Sequence, residues 1–167
     1  MDLLVFSDSH GHAGEMREVL MRARTDAVFH LGDGVRDAEA LPLGNTPLYA
    51  VRGNCDLFEE RPEEIVMALG GHVILAVHGH RDYVKSGTGT LIRHAVAVGA
   101  DVVLFGHTHL AQAEYLPAGT PYVGGTLPHA LYLCNPGSIG QNADGAGKSF
   151  GRLLLQGKDV LFSIGRV

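Results

Sequence analysis

The chain has 167 residues, 46% hydrophobic and 19% charged, with a formal net charge of −5. That balance suits a globular chain with a sizeable core and excludes a disordered one. No Lys/Arg cluster is present to neutralise a run of phosphates, so sequence-independent nucleic-acid binding is not expected, and no apolar stretch nears the roughly 20 residues that span a bilayer.

In chain order, Leu3–Phe6 reads as a buried strand, and the loop from Asp8 to Gly14 leads into a helix in which Met16, Val19, Leu20 and Ala23 recur at helical spacing among charged residues. Ala27–Phe29 is a second strand ending at His30-Leu31, followed by a short irregular segment and a third strand over Pro47–Val51. Pro62–Ala68 is ambiguous. Gly70-Gly71 marks a tight turn into a strand over His72–Val77, and a helix over Thr88–Val98 stops at Gly99 before a strand over Val102–Phe105. From Gln112 onward the pattern is short antiparallel strands near residues 111–115, 131–134, 152–155 and 160–164, separated by turns rich in Gly and Pro. The loop Leu116–Ala130 is long for a compact domain and reads equally as an irregular hairpin tip or as a cover or subunit contact. A βα-rich half and a meander-like half imply two sheets packed face to face with helices outside, in one α/β domain over residues 1–167.

The two cysteines, Cys55 and Cys134, are too few for a disulfide scaffold and read as thiols, Cys134 in the core. With the first strand beginning at Asp2, no signal peptide is read, and a cytoplasmic location is expected.

Chemistry sits just after the apolar runs. Asp8-Ser9-His10, Gly32-Asp33, Gly53-Asn54-Cys55-Asp56, His78-Gly79-His80 and Gly106-His107-Thr108-His109 bring Asp, Asn and His donors to one sheet edge. Asp8 and His10 alternate about Ser9 in a segment read as extended, so both face one ion. Asp33, with two carboxylate oxygens, is suited to bridging two cations. Mixed N/O donors without thiolate favour Mn, Fe, Ni or Zn over Ca or a soft metal.

Taken together, D-x-H, GD, GN-x-D, HGH and GH-x-H in this order resemble the calcineurin-like metallophosphoesterases. The short chain, the GNCD variant and Asn135-Pro136-Gly137-Ser138 look like the small YfcE-type phosphodiesterases. The resemblance implies a four-layer αββα sandwich of two mixed β-sheets flanked by helices. It also implies two divalent ions, with Mn²⁺ first and Ni²⁺, Fe²⁺ or Zn²⁺ as alternatives. One ion takes Asp8, His10 and His109, the other Asn54, His78 and His107, and Asp33 bridges them. Two such ions outweigh the charges of Asp8 and Asp33, drawing a small phosphoester to a positive centre where an activated hydroxide attacks phosphorus. Asn54 and His107 are the catalytic candidates.

Cys55 stands where many relatives carry a His that protonates the leaving oxygen or stabilises the transition state, and losing a positioned general acid costs about 10²–10⁴ in rate. His12, in the Asp8 loop, is assigned as the replacement donor, and Asp56 as a supporting residue that orients His10 or another ligand. His80 is read as supporting the donors and His30 as supporting or solvated. His72 and His94 are read as exposed and His129 as a loop residue. Asn135–Ser138 is either a set of donors at the site mouth or a simple turn. The alternative functions are a phosphomonoesterase, or a protein-interaction scaffold of the same fold like the retromer subunit that resembles this family. A homodimer is expected because relatives often pair.

Overall fold

A computed structural model describes residues 1–167. The elements run β1 (Asp2–Phe6), α1 (Ala13–Arg22), β2 (Ala27–His30), α2 (Val35–Glu39), β3 (Leu48–Ala50), β4 (Glu64–Leu69), β5 (His72–Val77), a 3₁₀ turn (Val84–Ser86) and α3 (Gly89–Val98). They continue with β6 (Val102–Leu104), β7 (Ala111–Leu116), β8 (Pro121–Tyr122), β9 (Gly125–Thr126), β10 (Leu131–Pro136), β11 (Ser149–Gln156) and β12 (Asp159–Arg166).

Two five-stranded sheets form, ordered β12-β11-β1-β2-β3 and β4-β5-β6-β10-β7. Both are mixed: β1, β2 and β3 run parallel in the first, extended by the antiparallel β11–β12 hairpin, and β5, β6 and β10 run parallel in the second, with β4 and β7 antiparallel at its edges. Strand periodicity sorts β1 between two cores. Leu3 and Val5 enter the layer between the sheets with Phe29, Ile74, Leu104 and Leu153, while Leu4 and Phe6 pack outward against Met16 and Val19 of α1. On the far side, Leu75, Val103 and Leu133 pack against Leu91, Ile92 and Ala95 of α3. The order of layers is therefore helix, sheet, sheet, helix, which is the expected αββα sandwich.

Two details depart from the sequence reading, and two resolve what it left open. The irregular segment after β2 contains α2, whose five residues bury only Val35 and Ala38, too few to register as a helical period. The ambiguous stretch at 62–68 becomes edge strand β4, alternating exposed and half-buried residues. The second half is not a separate meander: β10 pairs in parallel with β6, and β11 pairs with β1, so each sheet draws on both halves. Leu116–Ala130 holds the small β8–β9 hairpin, and Leu127 anchors it in the α3 core.

Two histidines are corrected as well. His72 is buried, with Nδ1 2.6 Å from Asp101 Oδ2 and Nε2 3.1 Å from the Gly157 carbonyl, so it clasps the β4–β5 turn to the β11–β12 turn. His94 is half-buried between Asp82 (2.9 Å) and Glu64 (2.8 Å). Cys134 lies in the core and His129 in the loop before β10, as expected.

Candidate metal centre

All seven predicted donors leave the carboxyl ends of parallel strands: Asp8 and His10 after β1, Asp33 after β2, Asn54 after β3, His78 after β5, His107 and His109 after β6. That edge is where α/β sheets collect their ligands. The segment holding Asp8 and His10 is not the extended run expected, because φ is 53° at Asp8 and 42° at His10. Asp33, His107 and His109 share this left-handed conformation, so five of the six non-glycine residues with positive φ are predicted donors. Such backbone is costly for L side chains and persists where surrounding structure enforces it, typically at functional sites. Gly53 and Gly106 allow the loops to close: a Cβ at Gly53 would collide with the Asp33 carboxylate, and one at Gly106 with the Ser7 hydroxyl.

The donors converge. Asp8 Oδ1 lies 3.1 Å from His109 Nε2 and 4.0 Å from His10 Nε2. His78 Nε2 lies 3.2 Å from Asn54 Oδ1 and 3.1 Å from His107 Nδ1. Between the groups stands Asp33 Oδ2, 3.8 Å from His10 Nε2 and 3.4 Å from His78 Nε2. Asp33 Oδ1 accepts the Cys55 N–H at 2.8 Å, so Oδ2 alone is left to face both groups.

Two features of this arrangement fit divalent ions. His78 Nδ1 donates to the Leu31 carbonyl at 2.7 Å and His109 Nδ1 to the Gln141 carbonyl at 2.9 Å, which leaves each Nε2 lone pair facing carboxylate or amide oxygen. Lone pairs facing one another at such distances repel unless a cation or a proton sits between them. Asp8 Oδ1 is moreover buried without any hydrogen-bond partner, an expensive state for a carboxylate oxygen unless an ion takes it. The residues present therefore suit a pair of cations.

The charges follow the same pattern. Burial alone would raise Asp8 and Asp33, but the neighbouring His109 and His78 imidazoles hold both carboxyls below the usual range. Burial would lower His78, yet Asp33 and Asp8 raise it, and Asp8 raises His109. His107, partly buried beside His78 and Lys85, is pushed down to about 4 and so offers a lone pair at neutral pH. Partial burial and the nearby Asp33 push the Cys55 thiol up to about 11, which keeps it neutral.

Asp56 does support the site, though not through His10. Its carboxylate accepts the backbone N–H groups of Asp33, Gly34, Val35 and Gly53 at 2.7–3.1 Å, tying the β2 loop to the β3 loop. Asn135–Ser138 is neither a rim of donors nor a plain turn. Asn135 Nδ2 donates to the Gly106 carbonyl and Thr108 Oγ1, while Ser138 Oγ donates to the Asp8 carbonyl at 2.7 Å; both side chains are buried beneath the donor loops. Ser7, which hydrogen-bonds Asp8 Oδ2, escaped the sequence reading because a serine at the end of a strand carries no distinguishing signal. His30 is buried against Ser9 Oγ at 3.2 Å, not solvated. His80, with its ring centroid 5.4 Å from that of His78, has a buried Nδ1 without a partner. His12 Nδ1 meets the Ser9 carbonyl at 2.9 Å.

Two depressions flank the donors. A cavity of about 560 Å³ on the His78 side includes His80, Arg52, Arg81 and Glu63 in its lining, and a groove of about 320 Å³ on the other side includes His10, Asp33 and Cys55. In the cavity both arginines are engaged by Glu63.

A fold of two sheets with histidines and aspartates converging at the strand ends is the arrangement of a metal-dependent phosphoesterase family, and membership follows from the sequence. The model of the calcineurin-like phosphoesterase superfamily domain matches residues 1–158, and the chain belongs to that family. A probable metallophosphoesterase of Bacillus subtilis, YsnB, is 33% identical over 141 residues, covering 83% of this chain and 75% of that protein. A predicted phosphoesterase of Streptococcus pneumoniae superposes with a TM-score of 0.75 at 28% identity, over 98% of this chain and 87% of that one. The fold is also that of Entamoeba histolytica Vps29 complexed with Zn²⁺ (TM-score 0.72, 20% identity, 100% and 98% covered). The Escherichia coli phosphoesterase YfcE shares it too (TM-score 0.61, 19% identity, both chains covered fully).

Proposed function

We propose that this chain, as one domain over its whole length, is a cytoplasmic metal-dependent phosphodiesterase acting on small phosphodiesters, nucleotide-like ones included. Its two ions are Mn²⁺ first, with Ni²⁺, Fe²⁺ or Zn²⁺ as substitutes. One observation carries the proposal: Asp33 Oδ2 faces His10 on one side and His78 on the other, dividing a complete donor set into two halves. In this reading Asp8, His10 and His109 hold one ion, Asn54, His78 and His107 the other, and Asp33 both.

When bound, a divalent pair polarises phosphoryl oxygens and lowers the pKa of the attacking water. The protein's own part is to prepare that position. The carbonyls of Leu31 and Gln141 fix the tautomers of His78 and His109, so neither ring reorganises as charge develops. In this reading Asn54 and His107 face the phosphoryl group of the substrate. No strong acid stands at position 55, since a thiol held near 11 is poorly matched to general-acid catalysis at neutral pH. Substrates with acidic leaving groups are therefore favoured, and His12 is assigned as the donor for poorer ones. A scaffold role, which the fold of Vps29 also accommodates, is the second reading; the gathering of acidic, amide and imidazole donors about Asp33 favours the enzyme.

The test is hydrolysis of an activated aryl phosphodiester with added Mn²⁺. Activity is expected, with loss on chelation and in Asn54→Ala and His78→Ala. Full activity in both variants would contradict the proposal. A panel of mono- and diesters with graded leaving groups checks the rest: diesters are preferred, rate falls steeply as the leaving group becomes less acidic, and His12→Ala steepens that fall.

A further inference from the structure

Leu57 and Phe58 follow Asp56 in the loop after β3 and are 72% and 88% exposed, Phe58 being the most exposed large apolar side chain of the molecule. Single apolar side chains scattered over a surface need no explanation, but two in succession beside a reactive centre do. A loose loop could fold them away; this one is pinned at both ends. Asp56 is fixed by its four backbone N–H donors, the Glu59 N–H donates to the Asp56 carbonyl at 3.2 Å, and Arg36 Nε holds Glu59 at 2.5 Å. The two side chains thereby form a fixed wall of the 320 Å³ groove whose other lining includes His10, Asp33 and Cys55.

We propose that Leu57 and Phe58 are the subsite for a planar aromatic group, an aryl ring or a nucleobase, on one ester arm of the substrate whose phosphoryl group lies at the donor set. The inference rests on the phosphoester reading above and narrows its substrate class. A groove of this volume admits one ring system, and an exposed phenyl face gains most from a flat partner. The groove offers a second phosphate little, because Arg36 is already engaged by Glu59.

Calorimetric binding of methylphosphonate, phenylphosphonate and adenosine 5′-monophosphate to the Mn²⁺-loaded protein tests this without turnover of a diester. Phenylphosphonate, the nucleotide or both are expected to bind about tenfold more tightly than methylphosphonate, the scale of one base–aromatic contact. Whichever ring binds better identifies the arm. Phe58→Ala, and the double variant with Leu57→Ser, should erase that advantage while leaving methylphosphonate affinity and melting temperature unchanged. Equal binding of all three ligands, or an advantage retained by the double variant, overturns the proposal. So does a variant that loses self-association yet keeps the ring preference, because the patch is then a contact between copies. A ring preference in a protein that hydrolyses no phosphoester would refute the enzymatic reading and leave the subsite standing.

Discussion

At the scale of single residues, the site is governed by which oxygen and which nitrogen each side chain has left to offer. Asp8 and Asp33 each commit one carboxylate oxygen to the protein and turn the other inward. Asp56 turns neither inward and spends both on backbone N–H groups. Asp56→Ala strands those four donors, and a loss of about 4 kcal/mol or more in stability is expected, read from urea unfolding, since each buried unpaired group costs about 1–3 kcal/mol. His30 supplies a pH signature. Burial holds its pKa at about 4, so between pH 6.5 and 4 the unfolded chain takes up a proton that the folded chain resists. Stability of the metal-free protein should fall as the pH drops through that window, with His30 contributing up to about 3 kcal/mol. In His30→Gln, unfolding free energies measured at pH 6.5 and 4 should show a correspondingly shallower fall; an unchanged slope would assign it to other groups.

At the scale of elements, the donor loops depend on what lies beneath them. Ser138, just past β10, donates to the Asp8 carbonyl and accepts the N–H groups of Gly140 and Gln141, so one hydroxyl ties the β1 loop to the segment that orients His109. Ser138→Ala should weaken metal binding about tenfold in a calorimetric titration while circular dichroism stays unchanged, because supporting partners of ligands typically contribute on that scale. This is also where the sequence was least legible. The parallel strands and their donors could be read directly, since apolar runs ending in Asp or His are local patterns. Asn135–Ser138 could not, because its partners Gly106 and Asp8 are 29 and 130 residues away for Asn135 and Ser138 respectively. The left-handed turn at Asp8–His10 was misread as extended because alternation D-x-H mimics a strand, and α2 was too short to leave a period. His72 looked solvated for the same reason: its clasp on Gly157 spans two sheets.

At the scale of the whole molecule, the sandwich brings two sets of parallel strands to one edge, and the donors of the two sheets meet there. β1, β2 and β3 supply Asp8, His10, Asp33 and Asn54, and β5 and β6 supply His78, His107 and His109. Binding ions across that junction joins the sheets, so adding Mn²⁺ to metal-free protein should raise its melting temperature in a concentration-dependent way, and chelator should reverse the rise. The central claim is that two cations share Asp33, and counting ions tests it most directly. Equilibrium titration with metal analysis should give two Mn²⁺ per chain for the native protein and fewer for Asp33→Ala. A stoichiometry of one or none in the native protein, or two ions bound unchanged without Asp33, would contradict the account.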